Sequence, residues 1–223
     1  MVTYSSEENM PMPLRSAMEP WGLQRLSRRH LEQVHLANVL LWVSLRFFVA
    51  MMRVGGLSLI EHPSECTWKP YTPSIWKLAI VNWMQKSKAV SKICFNQDVH
   101  GQVAKKPTTL LVLRLGNLRK YIYKKQGLYS VSRQVGKLGG RDESGGFRTA
   151  RAKEYPPSMC LAIARAIVEN LSNTEGREHC QIDDDERKFI DFCTSRFQVP
   201  CDPYLEINAM RADYMVHGQF GAK

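Results

Sequence analysis

Apolar and polar positions divide the chain into recognisable elements. The run Leu36–Met52 is apolar apart from Asn38, Ser44 and Arg46, and it predicts a long core helix. Ser27 supplies its N-cap, and Gly55-Gly56 supplies the stop. A short strand, Leu57–His62, follows at once. The loop Pro63–Pro73 contains three prolines and excludes a regular element. Ser74 caps an expected helix over Ile75–Lys88, where Ile75, Leu78, Ile80, Val81 and Met84 lie near helical spacing. Lys92–Gln97 reads as a strand with Ile93 and Phe95 on one face. Thr108–Leu115 is a near-continuous apolar strand of the kind found in buried sheets. The three strands are expected in one sheet flanked by the two helices. The short connection Asp98–Pro107 favours an antiparallel pairing of the last two.

Past residue 116 the pattern changes. Between Gln102 and Lys153 there are thirteen Lys/Arg residues against two acids, Asp142 and Glu143, with Tyr121, Tyr123, Tyr129 and Phe147 interleaved. Basic side chains neutralise phosphates and aromatic rings stack on exposed bases, so the stretch suits nucleic acid. A solvated basic loop has the same composition, and both readings stay open here. Lys105, Lys106, Arg119, Lys120, Lys124 and Lys125 are the candidate nucleic-acid contacts. Gly136-x-x-Gly139-Gly140 lacks the strand before and helix after that a phosphate loop requires. Tyr155-Pro156-Pro157 opens an amphipathic run, Ser158–Leu171, with proline suited to a first helical turn. Asp183-Asp184-Asp185-Glu186 caps an expected helix over Glu186–Phe197 more readily than it binds a metal, because the spaced ligands and glycine of a calcium loop are missing.

Composition adds bounds. The 223 residues carry a net charge of +10, which favours an anionic partner. Six cysteines form no C-x-x-C pair or regular framework, and reduced thiols in an intracellular protein follow. Met1–Pro20 is polar, with Glu7 and Glu8 where a secretory signal would be basic and then apolar. Leu36–Met52 is short of the about 20 apolar residues of a spanning helix and carries Arg46 near its middle, so no membrane is expected.

Three patterns in order carry a resemblance: Glu61-His62-Pro63 at a strand end, Pro73-Ser-Ile-Trp76, and Gln97-Asp-Val-His-Gly101 leading into Lys106-Pro-Thr108. With Tyr155-Pro156-Pro157 and the Leu161-Ala162-Ile163-Ala164 helix, this region resembles the second half of a DNA (cytosine-5)-methyltransferase domain. The likeness covers Gly55–Ala166, about half of the chain. It implies an α/β fold, an incomplete methyltransferase-like (Rossmann-like) sheet flanked by helices, with irregular basic and C-terminal extensions. The implied layout is a disordered N-terminus over 1–26, a partial methyltransferase-like domain over 27–172, and a helix with an irregular tail over 173–223.

Such enzymes extrude a cytosine from the duplex, attack its C6 with a cysteine thiolate and methylate C5 from S-adenosylmethionine. The resemblance gives Glu61 the role of the glutamate that hydrogen-bonds the cytosine's pairing edge, and puts Tyr155, Pro156 and Pro157 beside the cofactor. His62 stands where that family has asparagine. The family's Phe-x-Gly-x-Gly cofactor turn and its Pro-Pro-Cys nucleophile loop have no counterpart in these 223 residues; Pro200-Cys201 follows the closing helix in no matching context. The expectation is a truncated or degenerate methyltransferase-like protein, without catalysis alone, that meets DNA inside the cell, with the nucleus as the candidate compartment. Two alternatives of different class stand beside it: a non-catalytic nucleic-acid-binding module, and a single-span membrane protein through 36–52.

Overall fold

The computed structural model describes residues 13–65, 72–102, 104–123, 153–173 and the isolated helical positions 184, 187, 188 and 191. Helix α1 runs Arg28–Arg53; its N-cap Ser27 accepts a hydrogen bond from the His30 amide. It buries Val34, Asn38, Trp42, Leu45, Phe48, Val49 and Met52, one face of a regular helix. At its far end Gly55 adopts φ +68°, a conformation that favours glycine, and the Gly56 amide closes on the Met51 carbonyl at 2.8 Å.

Strand β1, Ser58–Pro63, follows directly. After a 3-10 turn at Ile75–Lys77 come α2, Ala79–Met84, and β2, Val90–Asn96. A second 3-10 turn, Gln97–His100, leads to β3, Pro107–Leu113. Helix α3, Leu118–Tyr123, and α4, Pro157–Ser172, complete the described elements. The sheet order is β1-β3-β2, and β3 is antiparallel to both neighbours. Ser58 pairs with Leu113 and Pro63 with Thr108 on one side; Val90 pairs with Leu113 and Asn96 with Pro107 on the other. The fold is a mixed helix-and-sheet domain with a small antiparallel sheet.

Strand alternation sends side chains into two cores. Leu111, Leu113 and Ile60 pack with Trp42, Leu45, Phe48 and Met52 of α1 and with Val81 and Met84 of α2. Leu110, Val112, Ile93, Phe95 and Leu59 pack on the other face with Leu118 and Ile122 of α3 and Met159, Ala162 and Ala166 of α4. Central β3 is buried on both faces, which explains its unbroken apolar run.

The expected elements differ from the observed ones in three places. The single helix expected over Ile75–Lys88 is broken: Ser74 caps only a 3-10 turn, Leu78 turns extended at ψ 135°, and α2 ends at Met84. Two anchors impose the break, since Trp76 donates from Nε1 to the Pro63 carbonyl at 2.8 Å while Leu78 is buried in the first core. The strand expected to reach Leu115 stops at Leu113, where Arg114 takes φ 53° and redirects the chain toward α3. Within the segment 1–26 expected to be disordered, Arg15 and Trp21 meet α1. Trp21 is buried there, its carbonyl accepts from Asn38 Nδ2 at 2.7 Å, and Arg15 donates to Asn38 Oδ1 at 2.6 Å. A buried amide in a helix needs such partners, and this one recruits them from the preceding segment. Residues 1–12, the glycine-rich 136–146 stretch, most of the helix expected at 186–197 and the tail lie outside the described residues.

Candidate functional site

Glu61 is the fourth residue of β1, opposite Leu110, and shares the α4 face of the sheet with Leu59. At this end of the sheet α4 begins. The segment leading into it brings the Tyr155 hydroxyl to Glu61 Oε2, to which it donates at 2.9 Å. The second carboxylate oxygen, Oε1, faces Gln97 Nε2 at 3.4 Å. Gln97 is fully buried at the start of the 3-10 turn after β2, and the same amide donates to Thr108 Oγ1 at 2.9 Å. Gln97 Oε1 is buried and meets no donor among the described residues. A carboxylate accepts about four hydrogen bonds, so Glu61 retains acceptor capacity toward a donor-bearing ligand edge.

Lys106 completes the cluster. Its Nζ stands 5.4 Å from the centre of the Tyr155 ring, and its backbone carbonyl accepts from the Gln97 backbone N–H at 3.0 Å. A cation over an aromatic face is attracted by the ring quadrupole. Burial first, then the hydrogen bond to Glu61, push the Tyr155 hydroxyl up to about 12, so it remains a donor at neutral pH. The start of α4 is fixed from beneath: Ser158 Oγ donates to the His100 carbonyl at 2.8 Å, and the His100 ring meets Phe95 edge-on at 5.3 Å. Gln102 Nε2 adds a bond to the Glu154 carbonyl at 2.9 Å.

His62, next along β1, points to the opposite face and meets Trp76 edge-on at 6.0 Å. Burial lowers its pKa, so the neutral ring is favoured. On that side an open cleft of about 430 Å³ is lined by Trp21, Leu40, Ile60, Glu61, His62 and Ser74 among others, and its lining does not include Tyr155, Pro156 or Pro157.

Of the residues singled out in the sequence, Glu61, Tyr155 and Lys106 therefore meet at one place. Pro156 is buried behind them, while Pro157 and Lys105 are exposed at its edge. Tyr155 and Pro156 do not fit as a cradle for S-adenosylmethionine: the Tyr155 hydroxyl is engaged by Glu61, Pro156 is buried in protein, and the cleft that Glu61 borders is lined by neither. Arg119 and Lys120 lie elsewhere, on α3. Arg119 donates to the Lys92 carbonyl at 3.1 Å and sits 5.9 Å from the Tyr123 ring. Lys120 forms an ion pair with Glu169 of α4, whose carboxylate also accepts from the Tyr121 hydroxyl. Its hydrogen bond with Glu169 holds the Lys120 ammonium above its usual pKa, and the same bonds hold the Glu169 carboxyl below its own. Lys124 and Lys125 lie outside the described residues.

Gln97 and the His100–Ser158 link were not assigned roles from the sequence. Both Gln97 and His100 stand in the sequence only as members of the Gln97-Asp-Val-His-Gly101 pattern. Among the described residues no group of three or more His, Cys, Asp or Glu could hold a metal ion. Comparison with protein-family models, curated proteins and solved structures finds nothing that matches this chain.

Proposed function

We propose that the chain is a degenerate or partial DNA cytosine-5-methyltransferase-like domain that binds nucleic acid and does not catalyse methyl transfer alone. The Tyr155–Glu61 hydrogen bond carries this reading, because it joins two motifs 94 residues apart that the resemblance puts on either side of one pocket. Gln97 and Lys106, from the intervening motifs, support it by converging on the same carboxylate and ring. Glu61 in this arrangement reads a donor-bearing base edge, and Tyr155 orients the carboxylate. Lys105 and Lys106 supply positive charge for a phosphate beside it. Arg119, Lys120, Lys124 and Lys125 are the further candidate phosphate contacts.

Catalysis is not proposed for these residues. The 223 residues contain no Pro-Pro-Cys loop, and among the described residues no cofactor cradle surrounds Tyr155–Pro157. The test is incubation of the purified chain with fluorocytosine-containing DNA and labelled S-adenosylmethionine, beside salt-dependent binding of the same DNA. The expected result is no covalent adduct, together with binding that weakens steeply with salt as counterions are released. Covalent trapping would overturn the non-catalytic part, and absence of binding at low salt would remove the nucleic-acid reading.

A second reading, a single membrane span, rests on α1, which is long and apolar enough to cross a membrane. Trp42, Leu45, Phe48 and Met52 of that helix are committed to the first core, and a span would withdraw them from it.

A further inference from the structure

The outward face of α1 bears an apolar stripe that the fold leaves uncovered. Leu36, Leu40, Val43 and Phe47 are 61%, 59%, 40% and 67% exposed, while Val34, Trp42, Leu45, Phe48 and Met52 fill the core from the other side. The stripe steps by four, three and four residues, the spacing of a coiled-coil seam.

We propose that this face is the interface of a homodimer in which two copies of α1 pack antiparallel about a two-fold axis. The stripe is complementary to itself in that orientation. With Leu40 against the partner's Val43, Leu36 falls opposite the partner's Phe47, so two bulkier Leu–Phe pairs flank two smaller Leu–Val pairs along the seam. Charge agrees with the packing. Glu32 and Arg53, exposed at the two ends of the stripe, occupy equivalent flanking positions along the heptad. They are about 30 Å apart along one helix, out of each other's reach within a chain. Antiparallel pairing brings Glu32 to the partner's Arg53 twice by symmetry, as an isologous interface requires. A parallel pair leaves these charges at opposite ends. Glu32 also pairs locally with Arg28 at 3.2 Å, an exposed contact that a facing arginine can share. One helix face is smaller than a standard stable interface, so the dimer is reversible and concentration-dependent.

Lipid is the other covering that such a face could take. Arg28, Arg29, Arg46 and Arg53 of the same helix would suit an anionic surface, but only the second copy gives Glu32 and Arg53 partners of opposite charge at matched heptad positions.

The test is sedimentation velocity of the full chain over a wide concentration range, with circular dichroism to check that each variant folds. The parent is expected to shift from monomer to dimer. Phe47→Glu, at an exposed position, is expected to weaken the dimer by about tenfold or more. Glu32→Arg and Arg53→Glu should each weaken it, and the double exchange should restore it; recovery by the exchange identifies the antiparallel register. A parent that stays monomeric, whether or not it floats with anionic phosphatidylserine vesicles, overturns the proposal. So does a dimer indifferent to Phe47→Glu or not restored by the double exchange.

Discussion

Replacing Tyr155 by phenylalanine removes one hydroxyl from the junction of α4 with β1 and keeps the ring beneath Lys106. The hydroxyl donates to Glu61 Oε2 at 2.9 Å. A hydrogen bond to a charged group contributes about 1.5–3 kcal/mol when water is excluded. Tyr155 is 45% exposed, so water competes for both partners and the loss is discounted to about 1 kcal/mol. In a chain of this size that lowers Tm by about 2–4 °C. The pH dependence is the sharper signature. Burial and Glu61 push the hydroxyl up to about 12, while an unfolded tyrosine titrates near ~10. Between those values the unfolded chain has released a proton that the folded chain keeps. The stabilisation is therefore complete below about pH 10 and declines as pH rises toward about 12. Denaturant unfolding of the parent and of Tyr155→Phe in parallel isolates this term, because the other titrations are common to both. The stability gap should be present at neutral pH and should narrow through the alkaline window. Equal stability at neutral pH, or a gap that stays constant as pH rises, would refute the reasoning.

Leu110→Ala, at the fully buried centre of β3, should cost about 2–5 kcal/mol, read as a lower denaturant midpoint with an unchanged slope. His62 has a lowered pKa, so the unfolded chain takes up a proton that the folded chain refuses as pH falls below about 6.5. Stability should drop in that window, and His62→Phe should blunt the drop in thermal melts at matched ionic strength. Charge reversal at Arg119, Lys120, Lys124 and Lys125, each to glutamate, should reduce DNA affinity and flatten its salt dependence; a folded quadruple variant that binds like the parent would make these residues a solvated face. Lys120→Glu alone should also loosen α3 from α4, since it sets like charges beside Glu169, and faster amide exchange in α4 would report this.

Local physics made several elements readable in the sequence. Helix α1 follows from apolar spacing within a few turns, a serine at one end and glycine at the other, all resolved by short-range hydrogen bonding. The three strands and the antiparallel pairing of β2 with β3 follow from apolar runs and a connection too short for a crossover. The break at Leu78 was not readable, because the 75–88 pattern is helical by itself. Only Trp76 reaching Pro63 and Leu78 reaching the core divide it. The same limit applies at the candidate site. Glu61 could be picked out at a strand end, but its meeting with Tyr155 and Gln97 depends on how α4 and the turn after β2 dock on the sheet. The sequence likewise marks Lys120 as one charge in a basic run; the fold sets it beside Glu169, 49 residues away. Residues four apart on a helix meet through backbone geometry alone. Residues tens of positions apart meet only when packing of the intervening elements has settled which surfaces touch.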